Sequence, residues 1–152
     1  MTRKAEFNAE EWSTLVSAPL LCAMLVVAAD KGGSVRESVA ATRSYAAARE
    51  RHDGEFMSAL LATPPASGGA RKPRSREELQ AEAFAALREA IDILDRVGTE
   101  DEVIEYKRFI FSLAQDIARA HKEGGFLGIG GTEISEREQA ALDEIAAIFD
   151  ET

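Results

Sequence analysis

Five short stretches of this chain carry the same helix-starting signature, and together they constrain its fold more than any other feature. In a capping box, a Ser, Thr, Asn or Asp and a Glu three residues later each satisfy a backbone amide left open at a helix start. The pattern occurs at Asn8 with Glu11, Ser34 with Glu37, Ser75 with Glu78, Thr99 with Glu102 and Ser135 with Glu138. A single match is commonplace. Five matches, each heading a segment with apolar residues at helical spacing, predict a protein built from helices.

The segments between these starts have readable ends. A first helix is expected from Ala9 to Ala29, closed by Asp30, Lys31, Gly32 and Gly33, with Pro19 kinking it or splitting it in two because proline supplies no amide hydrogen. A second runs from Val35 to Arg51, its alanines marking close helix contact and Val39 and Tyr45 its larger anchors. After a break at His52, Asp53 and Gly54, a short helix spans Glu55 to Ala62. The next helix, Arg76 to Val97, places Leu79, Phe84, Leu87, Ile91, Leu94 and Val97 on a core-facing stripe. Glu100 to Lys122 does the same with Val103, Tyr106, Ile110, Leu113, Ile117 and Ala120, and Glu136 to Phe149 with Leu142, Ile145, Ile148 and Phe149. No segment sustains strand alternation. The expected fold is an all-α bundle of five or six helices, one domain over residues 1–152.

Residues 63–75 interrupt this pattern. They hold three prolines, two glycines and almost no apolar side chains, so they read as a flexible internal linker between two halves. Arg71, Lys72, Arg74 and Arg76 make its end basic, either a solvated linker or a docking point for an acidic partner. Each half alone buries too little surface to stand by itself, so a shared core is expected.

Composition excludes several classes of function. The formal net charge is −9, which repels phosphate backbones and anionic lipid surfaces, so neither nucleic acid nor membrane insertion is expected. From Trp12 to Ala29 no residue is charged, the length of a minimal spanning helix, but Ser13, Thr14, Ser17 and Pro19 interrupt it and Glu6, Glu10 and Glu11 precede it. A buried core helix is the expectation. The single cysteine, Cys22, rules out a disulfide framework within the chain and reads as packing. With no export signal read, a cytoplasmic location is expected.

Two junctions look alike. VVAADKGGSVRE, residues 26–37, and IARAHKEGG followed later by SERE, residues 117–125 and 135–138, each join an apolar helix end, a glycine turn and a new helix opened by Ser-x-Arg-Glu. A duplicated helix-turn-helix unit accounts for both. The glycine-rich stretch 124–135 lacks the strand, spacing and Gly-Lys-Ser/Thr of a phosphate loop, and Phe126, Leu127 and Ile129 suit a turn plugging the core.

An apolar helix ending in Ala-Ala-Asp, a glycine turn, a helix-start glutamate and the tail ISEREQAALDEIAAIF together resemble bacterial tellurite-resistance TerB-like domains. The resemblance implies an all-helical bundle with internal pseudo-symmetry and divalent-cation binding by acidic residues at the helix junctions. By position it points to Asp30 and Glu37 in the first junction and Glu138 in the second, where His121 stands in place of the expected aspartate. Asp30, Glu37, His121 and Glu138 are therefore the candidate metal ligands. Glu37 and Glu138 have a competing role in their capping boxes.

Catalysis is not expected. The only histidines are His52 and His121, and Cys22 lies within an apolar run, a poor position for a nucleophile. The expectation is a non-catalytic protein-interaction or scaffold domain that binds a protein partner or itself. The alternative is a TerB-like divalent-cation-binding stress-response protein.

Overall fold

Among the described residues, two of the predicted capping boxes form in full and a third forms its N-cap bond. The Asn8 side-chain oxygen accepts from the Glu11 amide at 2.8 Å, and the Glu11 carboxylate accepts from the Asn8 amide at 3.0 Å. Thr99 and Glu102 make the same exchange at 3.2 and 2.9 Å, and Ser75 Oγ accepts from the Glu78 amide at 3.1 Å. The computed structural model describes residues 2–29, 35–64, 75–123 and 136–151, leaving aside the side chains of 35–38 and 121–123. Ser34 and Ser135 lie outside the described residues, as do the glycine-rich stretch 124–135, both halves of the duplicated turn and most of the expected linker.

The described residues form six α-helices: α1 (Ala9–Ala29), α2 (Val35–Arg51), α3 (Glu55–Ala62), α4 (Arg76–Val97), α5 (Glu100–Glu123) and α6 (Glu136–Asp150), preceded by a 3-10 turn at Lys4–Glu6. The protein is an all-α bundle, with no strand among the described residues. Only the ends of α5 and α6 differ from the sequence expectation, each by one residue.

Pro19 does not split α1, which runs unbroken through it. The missing Pro19 amide would have bonded the Leu15 carbonyl four residues earlier. That carbonyl instead accepts from the Tyr106 hydroxyl of α5 at 2.8 Å, in a fully buried setting. A tertiary donor replaces the local one, and the helix continues.

α1 is the central element, packed against α4, α5 and α6. It passes the length and hydropathy test for a membrane span, the one such helix among the described residues, yet more than half of its apolar window is buried inside the bundle. Cross-bundle pairs give the directions. Arg96 reaches Glu11 at 3.3 Å at one end while Leu25 packs with Leu79 at the other, so α1 and α4 are antiparallel. Gln80 bonds Glu144 at 3.0 Å and Arg88 bonds Glu151 at 3.0 Å, so α6 runs parallel to α4. α2 lies outside, antiparallel to α5, with His52 3.9 Å from Glu105 and the Tyr45 ring edge-on to Phe109 at 5.2 Å.

The predicted stripes form the core. Leu79, Leu87, Ile91 and Leu94 of α4 are buried, as are Val103, Tyr106, Ile110, Leu113 and Ile117 of α5 and Leu142, Ile145 and Ile148 of α6. Phe84, Val97 and Phe149 pack half-buried at its margin. One apolar cluster draws on α1 and α3 together with α4, α5 and α6, and so on both sides of the 63–75 stretch. Val39 is a correction: it is 42 % exposed and anchors nothing, because α2 turns Ser44 and Ala48 toward α5 instead.

The end of the bundle near residue 2 is closed by polar and aromatic contacts. Glu102, buried at the start of α5, accepts from the Thr2 amide at 2.9 Å and the Thr2 hydroxyl at 2.5 Å, besides the Thr99 amide. Phe7, Trp12 and Phe56 form an aromatic cluster with centroid distances of 5.6 to 6.2 Å, and Lys4 lies over the Trp12 ring at 5.5 Å. The Trp12 indole donates to Thr63 Oγ1 at 3.3 Å, which fixes the first residue of the expected linker to the body.

Candidate interaction surface

The four residues singled out as metal ligands fall differently in the structure. Asp30 lies outside the described residues. Glu37 is placed in α2 and His121 in the last turn of α5, but only by their backbone. Glu138 alone has a described side chain: it is 1 % exposed in the first turn of α6, and the residue is not without a partner. Among the described residues no group of three or more His, Cys, Asp or Glu side chains gathers to hold a metal ion.

The chemically active groups inside the bundle have structural work. Cys22 is fully buried, and burial pushes its thiol up to about 12, so the thiolate is suppressed. Burial also holds the Tyr106 hydroxyl far above the ordinary phenol range, with the neighbouring Cys22 and Tyr45 adding to the effect. Burial of the Glu102 carboxyl opposes its ionisation. The hydrogen bonds from Thr2 and Thr99 outweigh that and leave its pKa below the usual value. Each is a packed or capped group.

The surface offers a different feature on α1. A helix that is apolar all round is normally enclosed on every side. Here the faces carrying Leu15, Val16, Cys22, Leu25 and Val26 are buried, but the remaining face stays outside. Along it Leu20 and Val27 are half-buried, Ala28 is exposed and Met24 is 42 % exposed. They recur at spacings of three and four and therefore form one stripe on the second half of the helix. Toward the first half the same stripe turns polar at Ser17 and Ser13, whose side chain and backbone are joined by a 2.7 Å bond from Ser17 Oγ to the Ser13 carbonyl.

Sequence reading takes the uncharged run as a buried core helix and also offers this apolar first helix, with the alanine-rich second, as a dimer or partner surface. It does not single out Met24, because an uncharged helix reads the same whether it is enclosed on all sides or open on one.

Compared with protein-family models, curated proteins and solved structures, the chain finds no match in any of the three.

Proposed function

We propose that the protein is a helical interaction module whose contact surface is the outward apolar face of the second half of α1. The observation that carries this reading is Met24, 42 % exposed between half-buried Leu20 and Val27 on a helix without a charged residue from Trp12 onward. Covering such a stripe removes apolar area from water at about 25 cal/mol per Å², which favours a contact with a second apolar surface. Methionine suits that role because its flexible thioether adapts to differently shaped partners.

A second copy of the chain is the simplest occupant, and sedimentation velocity over a wide concentration range tests it. The wild-type chain is expected to associate as concentration rises, and Met24→Glu to stay monomeric with an unchanged melting temperature, since the residue is not part of the core. A wild-type monomer at every concentration, indistinguishable from Met24→Glu, removes the stripe as a self-association surface. The cation-binding alternative rests on the TerB-like resemblance and on Asp30, Glu37, His121 and Glu138. Its test is a melting temperature raised by a divalent cation over chelator and no longer raised in Asp30→Ala.

A further inference from the structure

We infer that two copies of the chain pair antiparallel through the outward face of α1, each placing Met24 over Ser13 of the other and Leu20 over Ser17. The inference rests on that face being the contact surface and adds how the two copies meet. Its residues Ser13, Ser17, Leu20, Met24 and Val27 follow one another at steps of four and three, and none of them is fully buried. That alternation is the seam spacing with which two helices wind about each other. No charged residue interrupts it, since the run from Trp12 to Ala29 carries none.

The seam complements itself in one direction only. Its small side chains, Ser13 and Ser17, occupy the first half, and its large ones, Leu20, Met24 and Val27, the second. In a two-fold contact residue i meets j and j meets i. About a midpoint between residues 18 and 19, antiparallel copies bring Met24 level with Ser13 and Leu20 level with Ser17. Every large side chain then faces a small one, which lets the layers interdigitate. Parallel copies stack Met24 on Met24 and Ser17 on Ser17, so the large half holds the small half apart. The Ser17 hydroxyl already donates to the Ser13 carbonyl at 2.7 Å, so covering it strands no donor. Charge favours the same direction. Glu10, three residues before Ser13, is exposed on this face. Parallel pairing brings the two Glu10 carboxylates together, and antiparallel pairing sets them at opposite ends.

Pulsed dipolar electron paramagnetic resonance on the full chain tests the pairing. A nitroxide is attached to Ala9→Cys or to Ala28→Cys, two exposed alanines at the ends of the seam, about 28 Å apart along the helix at 1.5 Å per residue. Cys22 is fully buried and takes no label. In antiparallel pairs each variant alone shows its two labels separated by about 28 Å along the axis. An equal mixture of the two variants adds a short distance, with only the helix-to-helix spacing of about 10 Å between the backbones. Parallel pairs reverse this, short within each variant and long in the mixture. That result, or distances that do not differ between the samples, overturns the antiparallel pairing and leaves α1 as the contact surface. An unlabelled chain that stays monomeric at every concentration removes the contact surface itself, and the pairing with it.

Discussion

Tyr106 and Pro19 compensate for one another across the core: the phenol donates to the Leu15 carbonyl that the proline, four residues on, cannot reach with an amide. The two residues come from helices far apart in sequence, and each explains the other. A buried tyrosine needs an acceptor for its hydroxyl, and a buried helix with an internal proline needs a donor for its orphan carbonyl.

A double-mutant cycle measures that relation. Tyr106→Phe should cost about 1–3 kcal/mol in urea unfolding, because it leaves a buried carbonyl unsatisfied. Pro19→Ala restores the helical amide as an alternative donor, so Tyr106→Phe should cost distinctly less when introduced together with Pro19→Ala. Equal costs with and without the proline would show that the hydroxyl and the proline are unrelated.

Most of the architecture could be read locally. Capping boxes involve residues three apart, and core stripes involve neighbours on one helix, so Asn8, Ser75 and Thr99 marked true helix starts and Leu87, Ile91 and Leu94 a true core face. What could not be read depends on partners distant in sequence. The Tyr106–Leu15 bond joins residues 91 apart, and the Thr2–Glu102 bonds join residues 100 apart. Val39 was expected to anchor α2 because it is large and apolar, but the face a helix buries is set by the neighbour it rests on. For the candidate surface, the uncharged run was visible, while the exposure of Met24 depends on which sides of α1 the other helices occupy.

Gly98→Ala tests the tight closure ahead of α5. A Cβ at Gly98 would lie 3.0 Å from the Leu94 carbonyl oxygen, 3.2 Å from Leu94 Cδ2 and 3.2 Å from Glu102 Oε2. The added methyl should therefore destabilise the protein by about 1–3 kcal/mol, the usual range for overpacking. A neutral effect in thermal or urea unfolding would mean that the Glu102 carboxylate shifts without loss.

Acid should release the same corner. The folded-state pKa of Glu102 lies below its ordinary value of 4.5, so its contribution is fully present above that value and is lost as pH falls through the folded pKa. Replacing Glu102 with Gln should lower stability at neutral pH and flatten this part of the acid limb of the stability curve. An acid limb of unchanged slope in Glu102→Gln would assign the acid sensitivity to other carboxylates.

Alkali should destabilise the bundle from its centre. Burial raises Cys22 from 9.0 to about 12 and Tyr45 from 10.0 to about 12, and it raises Tyr106 well above 10.0. In each case the folded state retains its proton where the unfolded chain has lost it. Stability is therefore complete below about pH 9 and falls as pH rises toward 12. Urea unfolding at stepped pH checks the sign, and Cys22→Ala should delay the onset of the decline from about pH 9 to about pH 10, where tyrosine ionisation begins. An onset unmoved by that substitution would exclude the thiol as its source.

The chain has a single tryptophan, and its position gives the molecule an optical asymmetry. Trp12 sits between Phe7 and Phe56, under Lys4 and bonded to Thr63, where the segment before α1 meets α3. Its emission therefore reports the closure of that corner. A fluorescence melt of this protein records the loosening of one end of the bundle, and two-state behaviour in that signal alone says little about the opposite end.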